Sequence, residues 1–274
     1  MRVSKLLVHQ DLPDRANNIM SVSLNLIALK GIPLIGPGDD LCEIIIQALS
    51  FNKEQLKDGD VLVLAQKIVS KAEDRTVALK DVKPSVEASK LGVKTGKDPR
   101  QIELILKESR AIVRLRPGVV IVEQNLGIVM ANAGIDHSNI DSSDGIERVL
   151  LLPVDPDKSC RELRESLKQQ LNVTVGVIVN DSVGRAWRVG TVGLAIGVAG
   201  LPSVVDLRGE NDMFGRELMV SEQAVADELA SAASLLQGQA AEGLPVVLVR
   251  GFQSNAPTQH ATSLIRDREM DMFR

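Results

Sequence analysis

Short runs of apolar residues recur along the chain and are rich in valine and isoleucine. Runs of about four to eight such residues, bounded by polar or glycine-rich turns, are typical of buried strands. We therefore predict strands at residues 61–65, 119–123, 127–131, 173–179 and 245–249.

Longer segments between these runs carry helix-start signals. Asp98 precedes Pro99, and Gln101 stands at the capping-box position. Asp155 precedes Pro156 in the same way. The predicted helices follow residue 40, follow residue 98, run from 155 to about 171 and run from 221 to about 237.

Strands and helices are mixed along the chain, but they do not alternate regularly. This order favours an α+β or irregular α/β fold. A chain of 274 residues allows one large domain or two intimate lobes. Neither an internal repeat nor a low-complexity linker marks a boundary between domains.

Charge and aromatic content argue against a nucleic-acid partner. Lysine and arginine number 32 against 36 aspartates and glutamates, so the net charge is −4. Only 2% of residues are aromatic, with no tyrosine and one tryptophan. A chain so poor in aromatics is ill suited to stacking single-stranded bases.

The sequence also argues against a membrane protein. The most apolar stretch, residues 192–201, has ten residues with three glycines, whereas a membrane helix needs about 20. The apolar run at residues 6–8 is too short for a signal peptide. Two cysteines, Cys42 and Cys160, are expected to be inert thiols of a cytoplasmic protein.

Polar residues follow three of the predicted strands, at 66–71, 132–139 and 180–188. Asp136 and Asp181 could jointly hold a hard divalent cation, because Mg²⁺ favours one or two carboxylates with water and phosphate oxygens. The simpler alternative stays open, since an aspartate among Gly, Asn and Ser usually forms a turn or a helix cap.

Two lysines after the first of these strands, Lys67 and Lys71, could meet phosphates as point charges. Lysines at a strand end are more commonly solvated, and that alternative also stays open.

Three glycine-rich segments are candidates for ligand-binding loops. Residues 92–98 lack the P-loop spacing, with three residues between the glycines and Asp98 after the lysine, so we predict a turn between helices. Residues 31–40 could offer backbone amides to a base or phosphate, or form a plain turn. Five glycines at 190–209 suggest a close approach of backbone.

Several catalytic classes are excluded or weakened. The sequence has no G-x-S-x-G elbow and no H-E-x-x-H motif. His9, His137 and His260 stand far apart in the sequence, and His137 is expected to be a loop residue. Chemistry through a carboxylate-bound metal and phosphate remains, and it needs no protein nucleophile.

Eight sequence blocks, which run in order over about residues 22–252, resemble the coenzyme F420-0:L-glutamate ligase family. The blocks are GIPLIGPGDDL, DGDVLVLAQKIVSKAEDR, NAGIDHSN, LLLPVDPD, VIVNDSVGRAWRVGTVGLAIGVAG, DLRGENDMFGREL, VADELASAA and GLPVVLVRG.

This resemblance implies an enzyme that uses GTP to join L-glutamate to coenzyme F420-0 and then adds further γ-linked glutamates. GTP phosphorylates the acceptor carboxylate, and the glutamate amine displaces phosphate from the acyl phosphate. The resemblance also implies Mg²⁺ or Mn²⁺, with K⁺ as a further candidate ion, and a two-lobed fold in an intertwined homodimer.

For the domain organisation, we expect an N-terminal extension at residues 1–21 and a single catalytic unit at 22–274. The nitroreductase-like second domain of some relatives is not expected here.

The resemblance also assigns roles residue by residue. Metal ligands are expected at Asp136, Asp181, Ser182 and Gln239, and catalytic roles at Asp136, Asp181 and Lys71. Nucleotide contacts are expected at Ile32, Pro33, Leu34, Ile35, Gln66, Lys67, Lys71, Asn139, Gln237, Gly238, Gln239, Ala240, Ala241, Glu242, Gly243 and Leu244.

Two of these assignments carry alternatives. Gln239 stands where relatives have an acid, which removes one negative charge from the metal site, and Glu242 is a candidate to compensate. The loop at 237–244 could also be a simple helix end with a glycine cap. We further expect Arg185 or Arg188, with residues 190–200, to serve the phosphate and carboxylate of the precursor.

Two other functions remain open from the sequence. One is a ligase of the same fold that acts on another carboxylate acceptor. The other is a non-catalytic nucleotide-binding relative, which the joint presence of Asp136, Asp181, Lys71 and Asn139 disfavours.

Overall fold

The computed structural model describes residues 23–272, so the proposed extension at 1–21 lies outside the described residues. The strands are β1 (Asn25–Ala28), β2 (Val61–Ala65), β3 (Thr76–Ala78), β4 (Ser109–Arg116), β5 (Val119–Gln124), β6 (Val129–Ala131), β7 (Arg148–Leu150), β8 (Gly176–Gly184), β9 (Thr191–Ala199), β10 (Val205–Asp206), β11 (Glu222–Gln223) and β12 (Val246–Arg250). The α-helices are α1 (Leu41–Phe51), α2 (Gln66–Ala72), α3 (Val86–Thr95), α4 (Pro99–Lys107), α5 (Pro156–Leu171) and α6 (Val225–Gln237).

A five-stranded sheet organises the fold, in the order β1-β12-β2-β8-β9. β2 and β8 are parallel, with Ala65 at the end of β2 opposite Asn180 in the middle of β8, and the other neighbours are antiparallel. The residues that follow β2 therefore emerge beside the outer half of β8.

Helices cover both faces of this sheet, which is why β2 is apolar along its whole length. Leu62 and Leu64 face a core shared with α1 and α5. Val61 and Val63 face the opposite core, which is shared with α6. The alternation along β2 thus divides the interior into two layers.

Smaller structures complete the fold. The sheet β4-β5-β6 and the helices α3 and α4 share a third apolar cluster. The β3–β7 pair packs at a fourth cluster, around Leu79, and β10 pairs with β11. The mixed arrangement confirms the α+β class, and no helix in residues 23–272 is long and apolar enough to cross a bilayer.

All five predicted strands occur, but one of them is displaced. The apolar pattern predicted a strand at 173–179, whereas β8 begins at Gly176 and continues through the polar residues to Gly184. Its outer half is held by pairing with β9, where Asp181 lies opposite Leu194. Backbone pairing, rather than apolar character, extends this strand.

The helix predictions agree at α1, α4 and α5, where Asp40, Asp98 and Asp155 accept hydrogen bonds from the first-turn amides. Of the turn predicted at 92–98, residues 96–98 join α3 to α4 through Gly96, at φ +68°, whereas residues 92–95 end helix α3. The prediction at 221–237 was wrong at its start, because residues 222–223 pair as a strand and α6 begins at Val225.

The glycines of β9 confirm the predicted close backbone approach. A Cβ on Gly193 would lie 2.5 Å from the carbonyl oxygen of Ala230 in α6. A Cβ on Gly197 would lie 2.5 Å from the carbonyl oxygen of Pro156, where α5 begins. Glycine at these two positions lets helices pack directly on the strand.

Candidate functional site

Asp136 follows a tight left-handed turn. Asn132, Ala133 and Gly134 have φ values of +52°, +55° and +69°, a conformation that non-glycine residues rarely adopt and that concentrates at functional sites. The backbone of Asp136 is then fixed by two hydrogen bonds with Leu150, of 3.0 and 2.9 Å. The carboxylate therefore projects from a rigid position.

Helix α2 supplies two partners for this carboxylate. Gln66 is 1% exposed, and its Nε2 donates to Oδ2 of Asp136 at 2.8 Å. Its Oε1 accepts a bond from Ser70 Oγ at 2.9 Å, which orients the amide. Lys67 Nζ lies 3.4 Å from Asp136 Oδ2 and donates to Ser138 Oγ at 2.7 Å.

Asp181 lies on the outer half of β8, and its electrostatics link it to Asp136. Burial, together with the neighbouring charge of Asp136, raises the pKa of Asp181 to about 6. Burial also raises the pKa of Asp136, although Lys67 and Gln66 oppose this shift. Two carboxylates that repel each other in a buried position favour a cation between them.

The donor set fits a hard divalent cation rather than a zinc-type site. Within residues 23–272, no group of three or more His, Cys, Asp or Glu side chains comes together to hold a metal. Two carboxylates supplemented by neutral oxygens match the preference of Mg²⁺, which keeps several waters and substrate oxygens. The exposed Ser182, next to Asp181 on β8, is the neighbouring hydroxyl.

Gln239 lies in the loop after α6. Its Oε1 accepts a 3.5 Å hydrogen bond from the hydroxyl of Thr191, the first residue of β9. Thr191 pairs with Gly184 at the end of β8. This contact connects the loop to the outer end of the strand that carries Asp181, and metal ligation by Gln239 stays a prediction.

Lys71 and Asn139 join three segments. Lys71 Nζ donates to the carbonyl oxygen of Asn139 at 2.7 Å. Asn139 Nδ2 in turn donates to the carbonyl oxygen of Ala240 at 3.1 Å. Burial, together with the nearby charge of Lys67, lowers the pKa of Lys71. The structure thus brings α2, the Asp136 loop and the loop after α6 to one place.

The loop after α6 is a helix end capped by glycine, the alternative left open by the sequence. Gly238 has φ +73°, and a Cβ there would lie 2.1 Å from the carboxyl carbon of Glu242. Glu242 folds back to accept the amide of Ala240 at 2.8 Å. Its carboxylate therefore stabilises the loop that it belongs to. Ala241, Gly243 and Leu244 belong to the same loop, and their contacts with the nucleotide stay predictions.

Residues 31–38 lie against the end of α2. The amide of Gly38 donates to the carbonyl oxygen of Ala72 at 2.9 Å. Leu34 is 95% exposed, whereas Ile35 is 8% exposed and packs in the core. Ile32 is half-buried and Pro33 is exposed. A ligand here would meet the side chains of Pro33 and Leu34, but only the backbone of Ile35.

Sequence reasoning missed one pair at this site. The side-chain amides of Asn180 and Gln237 bond reciprocally, at 2.9 and 3.1 Å. Asn180 is 3% exposed and ends the parallel pairing of β8 with β2. A polar amide directly after an apolar strand was the available signal, and the pair fixes the start of the loop after α6.

Comparison with known proteins decides the family. A family model described as F420-0:Gamma-glutamyl ligase matches residues 31–251. The chain belongs to this family. The match spans β2, β8, the Asp136 loop and the loop after α6, which together form the site described above.

Several similar proteins are named coenzyme F420:L-glutamate ligase. The chain is 45% identical to the coenzyme F420:L-glutamate ligase of Methanothermobacter thermautotrophicus, over 92% of this chain and 100% of the relative. It is 43% identical to that of Methanopyrus kandleri, over 92% and 99%. It is 40% identical to that of Methanocaldococcus jannaschii, over 92% and 96%.

Proposed function

We propose that the protein is a GTP-dependent ligase that joins L-glutamate to coenzyme F420-0 and then adds γ-linked glutamates to the product. One observation carries this proposal. The carboxylate of Asp136, in the loop after β6, interacts electrostatically with that of Asp181 on β8, and Lys67 lies 3.4 Å from Asp136. Family membership supports the ligase activity, because the relatives are named coenzyme F420:L-glutamate ligases.

Asp136 and Asp181 would hold Mg²⁺ or Mn²⁺, with Ser182 and Gln239 as candidate neutral ligands. Such a cation supplies charge neutralisation at the phosphates when bound. A K⁺ ion is a further candidate, and its site is not assigned.

The remaining groups would orient the substrates. Lys67 places its ammonium group beside the carboxylate of Asp136, and the ammonium group of Lys71 is held by the carbonyl oxygen of Asn139. Burial makes this lysine less strongly solvated than a surface lysine and thereby lowers its pKa. We assign the nucleotide to this side of the site, where residues 31–35 and 237–244 also lie.

The proposed chemistry has two displacements. An oxygen of the acceptor carboxylate attacks the γ-phosphorus of GTP, and the bond to the bridging oxygen breaks to release GDP. The glutamate amine then attacks the acyl carbon, loses a proton and expels phosphate. Each step transfers its group between substrates, so no side-chain nucleophile is required.

The candidate nucleophiles of the chain support this mechanism. Cys42 and Cys160 are buried, and burial raises the pKa of Cys42 to about 11 and that of Cys160 as well. Low-pKa, accessible thiols are the reactive ones. Within the described residues, no base is hydrogen-bonded to the hydroxyl of Ser182, which an activated serine would need.

We also propose the homodimer. Large apolar side chains are almost fully exposed in the segments that follow β8 and β10. Trp187 is 89% exposed, Val189 100%, Met213 97% and Phe214 95%. Large apolar side chains exposed to this degree are typical of a surface covered by another chain, and a second copy is the expected occupant. Light scattering that gives a monomer mass at micromolar concentration would contradict this.

Mass spectrometry of the products tests the function. Coenzyme F420-0 is incubated with L-glutamate, Mg²⁺ or Mn²⁺, and either GTP or ATP. We expect products that carry one or more glutamyl residues with GTP, and at least about 10³-fold slower ligation by Asp136→Asn. Asp267→Asn, at an exposed aspartate outside the site, is the matched control.

Three results would contradict the proposal. Addition of glutamate to other carboxylate acceptors in place of F420-0 would mean a different ligase. Nucleotide binding without any ligated product would mean a non-catalytic relative. Full activity of Asp136→Asn would remove the metal assignment.

A further inference from the structure

An open cavity of about 560 Å³ lies between β9 and α6, beside the segment that follows β8. Val192 and Leu194 of β9 form its apolar wall. Leu194 lies opposite Asp181 in the β8–β9 pairing. The cavity is therefore lined by the strand that neighbours the carboxylate that we assign to the metal.

Arg185, one residue beyond β8, lines the cavity with an unsatisfied donor. Its Nη1 is buried and has no hydrogen-bond partner within the structure. A buried guanidinium nitrogen without an acceptor is costly, and such an atom in a native fold calls for a ligand. Arg188 also lines the cavity and is exposed, so a second guanidinium is available at its rim.

Two acids of α6 face these arginines across the cavity. Asp227 Oδ1 accepts the amide of Ala195 at 2.9 Å, and Glu228 Oε2 accepts the side-chain amide of Gln223 at 2.7 Å. These bonds fix both side chains but use only part of each carboxylate's acceptor capacity. The cavity therefore presents two cations and two anions in one space.

We propose that this cavity binds the amino-acid substrate, L-glutamate, with Arg185 and Arg188 on its two carboxylates and Asp227 and Glu228 on its ammonium group. This assignment rests on the proposed function and identifies the residues that select its amino acid. A ligand with two carboxylates and one ammonium matches the charges of the walls.

Asp227 and Glu228 argue against the nucleotide and the precursor as ligands of this cavity. The precursor and the nucleotide present phosphate and carboxylate groups without a compensating ammonium, so Asp227 and Glu228 would repel them. The phosphate and carboxylate of the precursor, which the sequence assigned to Arg185 or Arg188, are therefore better placed elsewhere.

Steady-state kinetics tests the arginines. Loss of a charge-assisted bond should raise the KM for glutamate by about 10-fold or more in Arg185→Ala. The KM values for GTP and F420-0 should change by less than about two-fold, and Arg185→Lys should restore part of the loss. Arg161→Ala, on the exposed face of α5, is the control.

A binding experiment, which needs no turnover, tests whether Asp227 and Glu228 bind the ammonium group of the ligand. Ligand-observed NMR compares L-glutamate with 2-oxoglutarate, which keeps both carboxylates and lacks the ammonium. The wild type should bind glutamate at least about 10-fold more tightly, and Asp227→Asn or Glu228→Gln should narrow this ratio. Both variants keep an oxygen acceptor for their present partners, and thermal melting checks that they fold.

The outcomes distinguish a failure of the cavity assignment from a failure of the proposed function. If Arg185→Ala raises the KM for F420-0 but leaves that for glutamate unchanged, the cavity belongs to the acceptor and the inference is wrong. Equal KM values in all variants would also overturn it. If the wild type binds glutamate through Arg185 but forms no ligated product, the proposed function fails while the cavity assignment stands.

Discussion

The side-chain amide of Gln66 donates a 2.8 Å hydrogen bond to Oδ2 of Asp136, a residue 70 positions further along the chain. Because Ser70 holds the other end of the same amide, only the NH₂ group can face the carboxylate. The junction between β2 and α2 therefore orients a carboxylate that belongs to a distant loop.

Replacement of Gln66 tests this orienting role. Gln66→Ala should weaken metal activation by about 10–100-fold, as is common when a hydrogen-bond partner of a metal ligand is lost. The metal concentration for half-maximal ligation is the measurement. Gln47→Ala, at an exposed glutamine of α1 bonded to Glu43, serves as the control. An unchanged metal requirement in Gln66→Ala would refute the role.

Substitution of Lys71 tests the proposed contact with the nucleotide. Removal of its charge should raise the Kd for GTP by about 10-fold or more, since bonds to charged groups contribute about 1.5–3 kcal/mol. Lys71→Arg should not fully restore binding, because a planar guanidinium differs from a point charge. Fluorescent GTP titration is the measurement, and exposed Lys57 gives the control Lys57→Ala. Equal, small effects at both lysines would identify Lys71 as ordinary surface charge.

Asp181 should destabilise the metal-free protein at neutral pH. Its folded pKa, about 6, is above the value of an unfolded aspartate, so its charged form is disfavoured by folding. This penalty is absent below about pH 4 and fully present above about pH 7. Asp181→Asn should raise the free energy of unfolding by up to about 3 kcal/mol at pH 7.5 in EDTA, while abolishing ligation.

Urea unfolding at pH 4 and pH 7.5 measures this effect. Asp206→Asn is a control of opposite sign, because hydrogen bonds from Arg208 lower the pKa of Asp206 to about 2. The stabilisation from that pair is present above about pH 4 and is lost as pH falls through 2. Equal stabilisation by Asp181→Asn at both pH values would contradict the electrostatic account.

A pair of glycines tests the packing that supports the site. Gly197→Ala would drive a Cβ into the backbone of Pro156, so the melting temperature should fall by several degrees. Gly184→Ala meets no atom within 4 Å and needs no left-handed backbone, so its melting temperature should stay near that of the wild type. Similar melting temperatures for the two variants would mean that α5 moves to accept the new methyl group.

Much of the fold was predictable because its signals are local. The cap at Asp155 and the proline after it place the start of α5 correctly. The apolar run of β2 gives both ends of that strand. The outer half of β8 was missed because its polar residues are held by pairing with β9, and a single sequence does not show which strands pair.

The sequence proposes the residues of the candidate site but not their arrangement. Asp136 and Asp181 stand after apolar runs, where polar groups are conspicuous. The bond from Gln66 and the cavity between Arg185 and Asp227 depend on which elements fold together. Residue type and spacing carry no information on such contacts.

Transfer of an oxygen isotope tests the central chemical claim most directly. F420-0 labelled with ¹⁸O in the acceptor carboxylate is ligated to glutamate with unlabelled GTP, and the released phosphate is analysed by mass spectrometry. If the carboxylate is phosphorylated by GTP, one ¹⁸O atom must appear in the phosphate. Unlabelled phosphate together with a substrate adduct on Ser182 would contradict the account and establish a covalent acyl-enzyme in its place.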